Sequence, residues 1–394
     1  MSQKPTNLRP DVARLLDEGY DALIEKQHLL VRDVPYVTAS GEVERGTLIS
    51  SLEGTFEKAA ERVSDHVVMF VGEYPCDSSG TPLETIRNST GDQNIAGQWI
   101  INHRFSSKPK RGFYKDYYEK MSTYASILSN YAAAIDPECT SRPHRVIEMA
   151  DDSPFVYFDN ASGRAGISAV TQKLTGRSVA IVGLGGTGSY LLDLVAKTPL
   201  DGIHLFDGDI FEQHSAFRSP GAASFDLLQT RPLKVDYLKS IYENMHRRIV
   251  AHGEFITPDN VNELQGFDMV FLCIDANEVK VPIIKALEAF DSKFIDVGIG
   301  VNLVQEALTA TIRTTTSTPG HRSHVHDRRR IPMQPGTDNN EYAQNIQVSE
   351  LNAINAGFAV IQWKQQCNFY RDIEHEHHSL FRVADNFILS EDAA

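Results

Sequence analysis

Cysteine is scarce in this chain of 394 residues: Cys76, Cys139, Cys273 and Cys367 are the four, and no two stand in a C-x-x-C pair. That excludes a disulfide framework and a thiolate-based structural zinc site, and it fits a reducing, cytoplasmic setting. Long apolar runs are also lacking, and none approaches the roughly 18 residues of a spanning helix. The opening Met1-Ser2-Gln3-Lys4-Pro5-Thr6-Asn7 has no apolar segment of a secretory signal, so neither export nor a membrane span is expected. Basic residues are in deficit, 38 Lys plus Arg against 52 Asp plus Glu, a formal net charge of −14. That balance argues against a general nucleic-acid coat, which needs a Lys/Arg surplus to neutralise phosphate. No internal repeat or low-complexity tract is apparent. What is present, 41% hydrophobic and 23% charged residues, suffices for a globular fold, and the length exceeds what one core usually supports, so two domains are expected.

Residues 9–27 have helical spacing, with Val12, Leu15, Leu16, Tyr20, Leu23 and Ile24 recurring at three and four. Strands are expected at 29–31, 34–37 and 66–72, and a helix at 112–135. This reads as a smaller α+β domain over residues 1–150. Residues 136–165 are richer in Pro, Asp, Ser and Gly, and the boundary falls there. Beyond it, over 160–394, short apolar strands (Ser178–Val182, Ile203–Phe206, Met269–Ile274, Lys293–Val297, Gln305–Ile312) alternate with helices near 188–198, 233–247, 278–290 and 347–366. Two-sided apolar strands alternating with helices predict an α/β, Rossmann-like, doubly wound and mostly parallel sheet.

The first of these strands runs into Gly183-Leu184-Gly185-Gly186-Thr187-Gly188 and then a helix. Gly183 permits the tight turn, Gly185 permits close approach of backbone to phosphate, and Gly188 lets the helix pack on the sheet. The helix N-terminus offers unpaired N–H groups and partial positive charge. Asp207, 19 residues after Gly188 at the end of the next strand, is placed to accept from ribose hydroxyls. A dehydrogenase and a nucleotidyl transferase share these features, and a strand–helix turn without a ligand has the same outline. The next segments separate them. Arg218 and Lys234 lie in the connection that follows Asp207-Gly208-Asp209, and Cys273-Ile274-Asp275-Ala276-Asn277 ends a later strand. Strand C-termini share one edge of such a sheet, so Asp207 and Asp275 face one nucleotide, with two cations in reach of its phosphates. Two cations, a glycine loop and a carboxylate able to hold Mg²⁺ suit phosphoryl or adenylyl chemistry, whereas hydride transfer needs neither metal nor paired phosphate-directed cations.

The ordered set Gly183–Gly188, Asp207-Gly208-Asp209, Ser215-Ala216-Phe217-Arg218, Lys234 and Cys273–Asn277 resembles the adenylating domain of the ThiF, MoeB and ubiquitin-activating (E1-like) superfamily across about residues 165–365. The resemblance implies ATP-dependent adenylation of the C-terminal glycine carboxylate of a ubiquitin-like protein. It assigns the nucleotide to Gly183, Gly185, Gly186, Gly188, Asp207 and Asp209, the phosphates to Arg218 and Lys234, and Mg²⁺ to Asp275. It further implies a homodimer, and Arg164 is the candidate for an arginine that reaches the partner subunit's nucleotide. Bacterial relatives with an extra N-terminal domain sit beside ubiquitin-like, E2-like and peptidase partners in modification or defence pathways, so residues 1–150 are expected to recruit a ubiquitin-like or E2-like protein.

The chain departs from that pattern in two places. Ser215 stands where the motif has Asn, and Ser has one donor instead of an amide's two-sided reach. No cysteine lies in 314–345, where many such enzymes carry a thioester-forming residue. Cys273 reads as a small core hydrophobe, Cys367 as helix packing, Cys139 as a linker residue, and Cys76 as accessible in a turn beside Asp77, which disfavours its thiolate. The segment from Thr314 through Arg328-Arg329-Arg330 reads as a polar, basic crossover loop able to cover a tail or meet an acidic partner, or as a solvated loop. The histidines at 321, 324, 326, 375, 377 and 378 lack cysteines and well-spaced carboxylates, so they read as surface residues and not as zinc ligands. Beside adenylation stand two other readings: an NAD(P)-dependent oxidoreductase and a non-catalytic nucleotide-binding scaffold.

Overall fold

The computed structural model describes residues 9–53, 62–95, 97–149, 151–275, 277–333 and 347–392. The chain divides into two compact units, Met1–Asp152 with Tyr157–Ser168, and Ser153–Val156 with Ala169–Ala394. Among the described residues no helix is long and apolar enough to cross a membrane.

The first unit is an antiparallel sheet carrying helices. The Pro10–Asp17 helix starts with Pro at its first turn, where the missing N–H is harmless. The helical spacing expected to reach residue 27 stops here. Gly19, at φ +92°, turns the chain, and Leu23 and Ile24 go into β1 (Asp21–Glu25), paired with β2 (His28–Val37). With β3 (Val43–Ser51), β4 (Val67–Val71), β5 (Arg87–Ile95) and β6 (Trp99–Ser106) they form a sheet in the order β1-β2-β3-β4-β6-β5. The Tyr117–Ile135 helix is N-capped by Asp116, whose carboxylate accepts from Glu119 N. It buries Met121, Tyr124, Ala125 and Leu128 against Leu48, Phe70 and Phe105.

The second unit is a sheet of eight strands: β7 (Ser178–Val182), β8 (Gly202–Phe206), β9 (Ile249–His252), β10 (Met269–Leu272), β11 (Phe294–Val304), β12 (Ala307–Ser317), β13 (His378–Arg382) and β14 (Phe387–Glu391), in the order β14-β13-β12-β11-β10-β7-β8-β9. β9, β8, β7, β10 and β11 are parallel. The mostly parallel, doubly wound sheet read from the sequence is therefore present. Gln305–Ile312, expected as one more strand of the alternating pattern, instead holds a turn. Gln305 and Glu306 both have positive φ, and they send the chain back antiparallel as β12, in register with β11 along its full length. β13 and β14 extend the antiparallel edge. Alternate residues of β7 enter two cores. Val179 and Ile181 pack with Leu191, Leu192, Phe271 and Trp363, while Ala180 and Val182 pack with Phe206, Leu272, Ile283 and Leu287, as a sheet covered on both faces requires.

Of the six histidines expected at the surface, His326 and His375 are exposed, but the others are not. His324, His377 and His378 are buried, and the His321 ring lies against both His324 and His377. The basic run near 330 is engaged within the chain: Arg328 and Arg330 both pair with Asp392, and Arg330 also with Glu391. Thr314–Ser317, read as the start of a polar loop, are the last residues of β12. They stand in the sheet because their backbone pairs with β11 and β13. Residues 334–345 of the loop expected over 314–345 lie outside the described residues.

Burial pushes the His246 ring down to about 4, and burial, then Arg330 and Arg313, push His378 down to about 4. Both rings bind fewer protons in the folded than in the unfolded chain between pH 6.5 and about 4. Stability is therefore complete above pH 6.5 and is lost as the pH falls toward 4, by on the order of 1–3 kcal/mol for each ring. The melting temperature is expected to drop steadily on acidification from about pH 7.5 to 5. An unchanged value over that interval contradicts the buried, neutral state of these rings.

Candidate active site

The parallel strands run outward from β7 through β8 to β9, and the chain then returns to place β10 on the other side of β7. Ligands of doubly wound sheets bind at such a reversal, beyond the strand C-termini. A cleft of about 480 Å³ lies there. Its wall includes Gly183, Gly185 and Gly186 after β7, Asp207 and Asp209 after β8, Arg218 and Lys234 from the connection to β9, and Asp275 after β10. Eight of the residues singled out from the sequence thus converge.

Local sequence explains the loop. Gly183 has φ +90°, and a Cβ there would stand 2.7 Å from the Cys273 carbonyl oxygen. Gly188 is not in the cleft wall. It lies beneath, where a Cβ would overlap the Gly183 carbonyl oxygen. The Gly186–Val195 helix begins after Gly185 with no side chain capping it, so its first N–H groups open on the cleft.

Asp207 is 4% exposed and ties the loops together. One carboxylate oxygen accepts from Leu184 N at 2.6 Å and the other from Asp209 N at 2.8 Å. Lys234, also buried, donates to Asp209 Oδ2 at 2.6 Å and lies 3.9 Å from Asp207 Oδ2. Arg218 differs. Its Nε is buried and has no hydrogen-bond partner, a donor waiting for an anion. Asp275 accepts from Gln347 Nε2 at 2.8 Å. Mg²⁺ commonly takes one or two carboxylates and completes its shell with phosphate and water. Asp275 fits that use, whereas among the described residues no cluster of three His, Cys, Asp or Glu side chains forms a metal site.

Besides Gly188, two sequence candidates do not join the cleft wall. Ser215 sits on the short Gln213–Ala216 helix, buried, with its hydroxyl unpartnered. Arg164 ends a short helix in the first unit, and its side chain lies outside the described residues. Conversely, sequence reasoning missed Phe255, Gln347, Asn352 and Asn355, all of which line the cleft. The signal for two of them was available. Asn352 and Asn355 fall on the stripe of the Ser349–Gln366 helix that also buries Ala356, Ala359 and Trp363, and polar residues on a core-facing stripe call for partners. Behind the wall, Asp296 is held between Lys280 and Arg313.

All four cysteines are unpaired, and none favours a thiolate. Burial pushes up the thiols of Cys76, Cys139, Cys273 and Cys367, with Asp77 adding to the first and Asp136 to the second. Cys76, expected to be accessible, is buried, because its main chain bridges to Val37 and Pro82. Cys273, expected inside a core strand, lies just past β10 in the cleft wall.

The closest packing in this site yields a prediction. Gly188→Ala drives a methyl group into the Gly183 carbonyl and must separate helix from loop. A loss of at least about 2 kcal/mol is expected in chemical unfolding. Unfolding equal to that of the unsubstituted chain refutes the packing role.

Comparison with known proteins places this cleft in context. The family model described as "Domain of unknown function (DUF6791)" matches residues 10–160, and the model described as "ThiF family" matches residues 160–362. Ubiquitin-like modifier-activating enzyme 5 of Rattus norvegicus is 27% identical over 169 residues, 40% of this chain and 41% of that protein. The Bombyx mori enzyme of the same name is 24% identical over 174 residues, 40% of this chain and 42% of that protein. The chain thus spans about two fifths of the length of the curated relatives it matches. In fold it is similar to E. coli MccB crystallised with MccA-N7isoASN, at a TM-score of 0.50 and 15% identity, covering 60% of this chain and 73% of that one. Because the ThiF model covers just over half of the sequence and takes in every residue of the cleft wall, the chain belongs to the ThiF family of E1-like adenylyltransferases.

Proposed function

We propose that this chain uses ATP to adenylate the C-terminal carboxylate of a ubiquitin-like protein. The observation that carries the proposal is the convergence of the uncapped helix N-terminus, Lys234 and the unpartnered Arg218 Nε on one cleft. Asp207 would accept from the ribose hydroxyls, with Asp209 beside it in the cleft wall. Phe255, half-exposed and packed against Gly208, offers an aromatic face for the base. A carboxylate oxygen of the incoming tail attacks the α-phosphorus. The new P–O bond forms as the bond to the β-phosphate oxygen breaks, and pyrophosphate leaves with its electrons. Arg218 and Lys234 offset the charge gathering on that leaving group, and the helix N-terminus faces the pentavalent phosphorus. Asp275 would hold Mg²⁺, which supplies further charge compensation when bound.

The substrate is proposed to be ubiquitin-like because the matched relatives activate ubiquitin-like modifiers, and the setting to be a bacterial, cytoplasmic modification or defence pathway because of the two-domain layout. The elevated thiols of all four cysteines support direct delivery of the acyl adenylate to a partner's thiol, such as that of an E2-like protein, without a thioester on this chain. A homodimer, with Arg164 serving a second nucleotide site, and Ser215 as a phosphate neighbour belong to the same reading. Recruitment of the ubiquitin-like or E2-like partner falls to the first unit.

ATP–pyrophosphate exchange that depends on a ubiquitin-like protein ending in glycine is the direct assay. Arg218→Ala and Asp275→Ala are each expected to lower exchange by at least about a hundredfold. Exchange within tenfold of the unsubstituted chain in either variant removes that residue from the mechanism, and the absence of any exchange with several such substrates removes the substrate class. Deleting residues 1–150 is expected to abolish capture of the ubiquitin-like or E2-like partner while leaving ATP binding intact. Undiminished capture of both refutes the recruiting role.

A further inference from the structure

Asn352 stands on the first turn of the Ser349–Gln366 helix, the last long helix of the chain, outside every motif that marked the nucleotide site. It is 1% exposed and lines the cleft. Its Oδ1 accepts from the Thr187 hydroxyl at 3.0 Å, which commits the oxygen and turns the amino group the other way. That Nδ2 is buried with no hydrogen-bond partner. A buried donor left unmade costs about 1–3 kcal/mol, so its persistence beside a ligand cleft calls for a partner that arrives with the ligand. The amide also lies directly on the glycine turn: a Cβ on Gly186 would overlap it. The free N–H groups of the Gly186–Val195 helix and the Asn352 amide thus surround one spot with neutral donors, while Arg218 and Lys234 approach the cleft from the connection to β9. Neutral donors without a carboxylate among them suit a phosphoryl oxygen. The helix that presents Asn352 is anchored at its far end by Trp363, 1% exposed in the main core, so the donor is held ready before a ligand arrives.

We infer that Asn352 is a direct ligand of the nucleotide, its Nδ2 donating to the phosphoryl group seated on Gly185-Gly186-Thr187. The inference rests on the adenylation reading and adds to it a binding residue from outside the motif set. The contact sets affinity for the phosphorylated nucleotide and not for the nucleoside.

The test is titration of the full chain and its variants with ATP and Mg²⁺, with AMP, and with adenosine, read by calorimetry, alongside the unliganded melting temperature. Asn352→Ala is expected to weaken ATP and AMP binding about tenfold. Asn352→Asp, which keeps the shape and sets a carboxylate against the phosphate, is expected to weaken them more than Asn352→Ala does. Adenosine binding should change less than twofold in both. If either variant fails to fold, Thr187→Val removes the hydroxyl that orients the amide, and a several-fold loss for ATP without loss for adenosine is expected. ATP affinity within twofold of the unsubstituted chain, equal losses in Asn352→Ala and Asn352→Asp, or parallel losses for ATP and adenosine each overturn the inference while leaving the adenylation reading in place. An unsubstituted chain that binds adenosine and ATP equally, or neither, overturns both.

Discussion

A single buried carboxylate organises the catalytic unit. Asp207 ends β8 where water is largely excluded, and a charge so placed persists only if its oxygens are bonded. It meets that demand with the N–H groups of Leu184 and Asp209, which belong to two different loops. The glycine turn after β7 and the Asp207-Gly208-Asp209 turn after β8 are thereby locked to one point. Asp209, set by that lock, holds Lys234 through its side chain and again through its carbonyl, which accepts from Lys234 N at 2.9 Å. The position of the glycine loop, the start of the Lys234–Tyr242 helix and the direction of its lysine all descend from one residue.

The charge balance of the cleft follows. Three carboxylates, Asp207, Asp209 and Asp275, share the wall with two cations, Arg218 and Lys234, and Lys234 is already engaged by two of the three. A triphosphate entering this wall meets net negative charge from side chains alone. Backbone dipoles, neutral amides and a divalent cation are the means left to reverse that field. The arrangement is suited to admit a nucleotide together with its metal and to hold a bare polyanion poorly.

Much of this was legible in the sequence because strand, turn and helix each leave a local mark. Gly183–Gly188 between an apolar run and a helix gives the loop, and Asp207, Lys234 and Asp275 fall at strand ends and a helix start, where a doubly wound sheet must bring them together. What could not be read depends on long-range pairing. The break at Gly19 is set by β1 finding β2, since Leu23 and Ile24 satisfy a helical stripe equally well. The return of β12 along β11 hinges on two residues, Gln305 and Glu306, that are not typical turn formers. His377 and His378 are polar by composition and enter the interior because β13 adds to β12, while His375 stays exposed. Asn352 and Asn355 are legible only as anomalies, amides where a core stripe wants apolar groups. Ser215 was selected by motif order alone, and the Gln213–Ala216 helix buries it outside the cleft wall.

A chain whose four cysteines are unpaired still fastens its β13–β14 edge. Arg328 and Arg330 grip Asp392, whose side chain is 2% exposed, and Arg330 also holds Glu391. These ion pairs close a ring of some sixty residues that contains the whole Ser349–Gln366 helix and both terminal strands. Closing a ring of that length removes chain entropy from the unfolded ensemble, much as a disulfide would. Unlike a disulfide, the fastener is held by charge, and the burial of Asp392 keeps salt from screening it as fully as an exposed pair. The β13–β14 ribbon and the Ser349–Gln366 helix thus lie inside one loop, and release of Asp392 would lengthen the tether on the segment that presents Asn352.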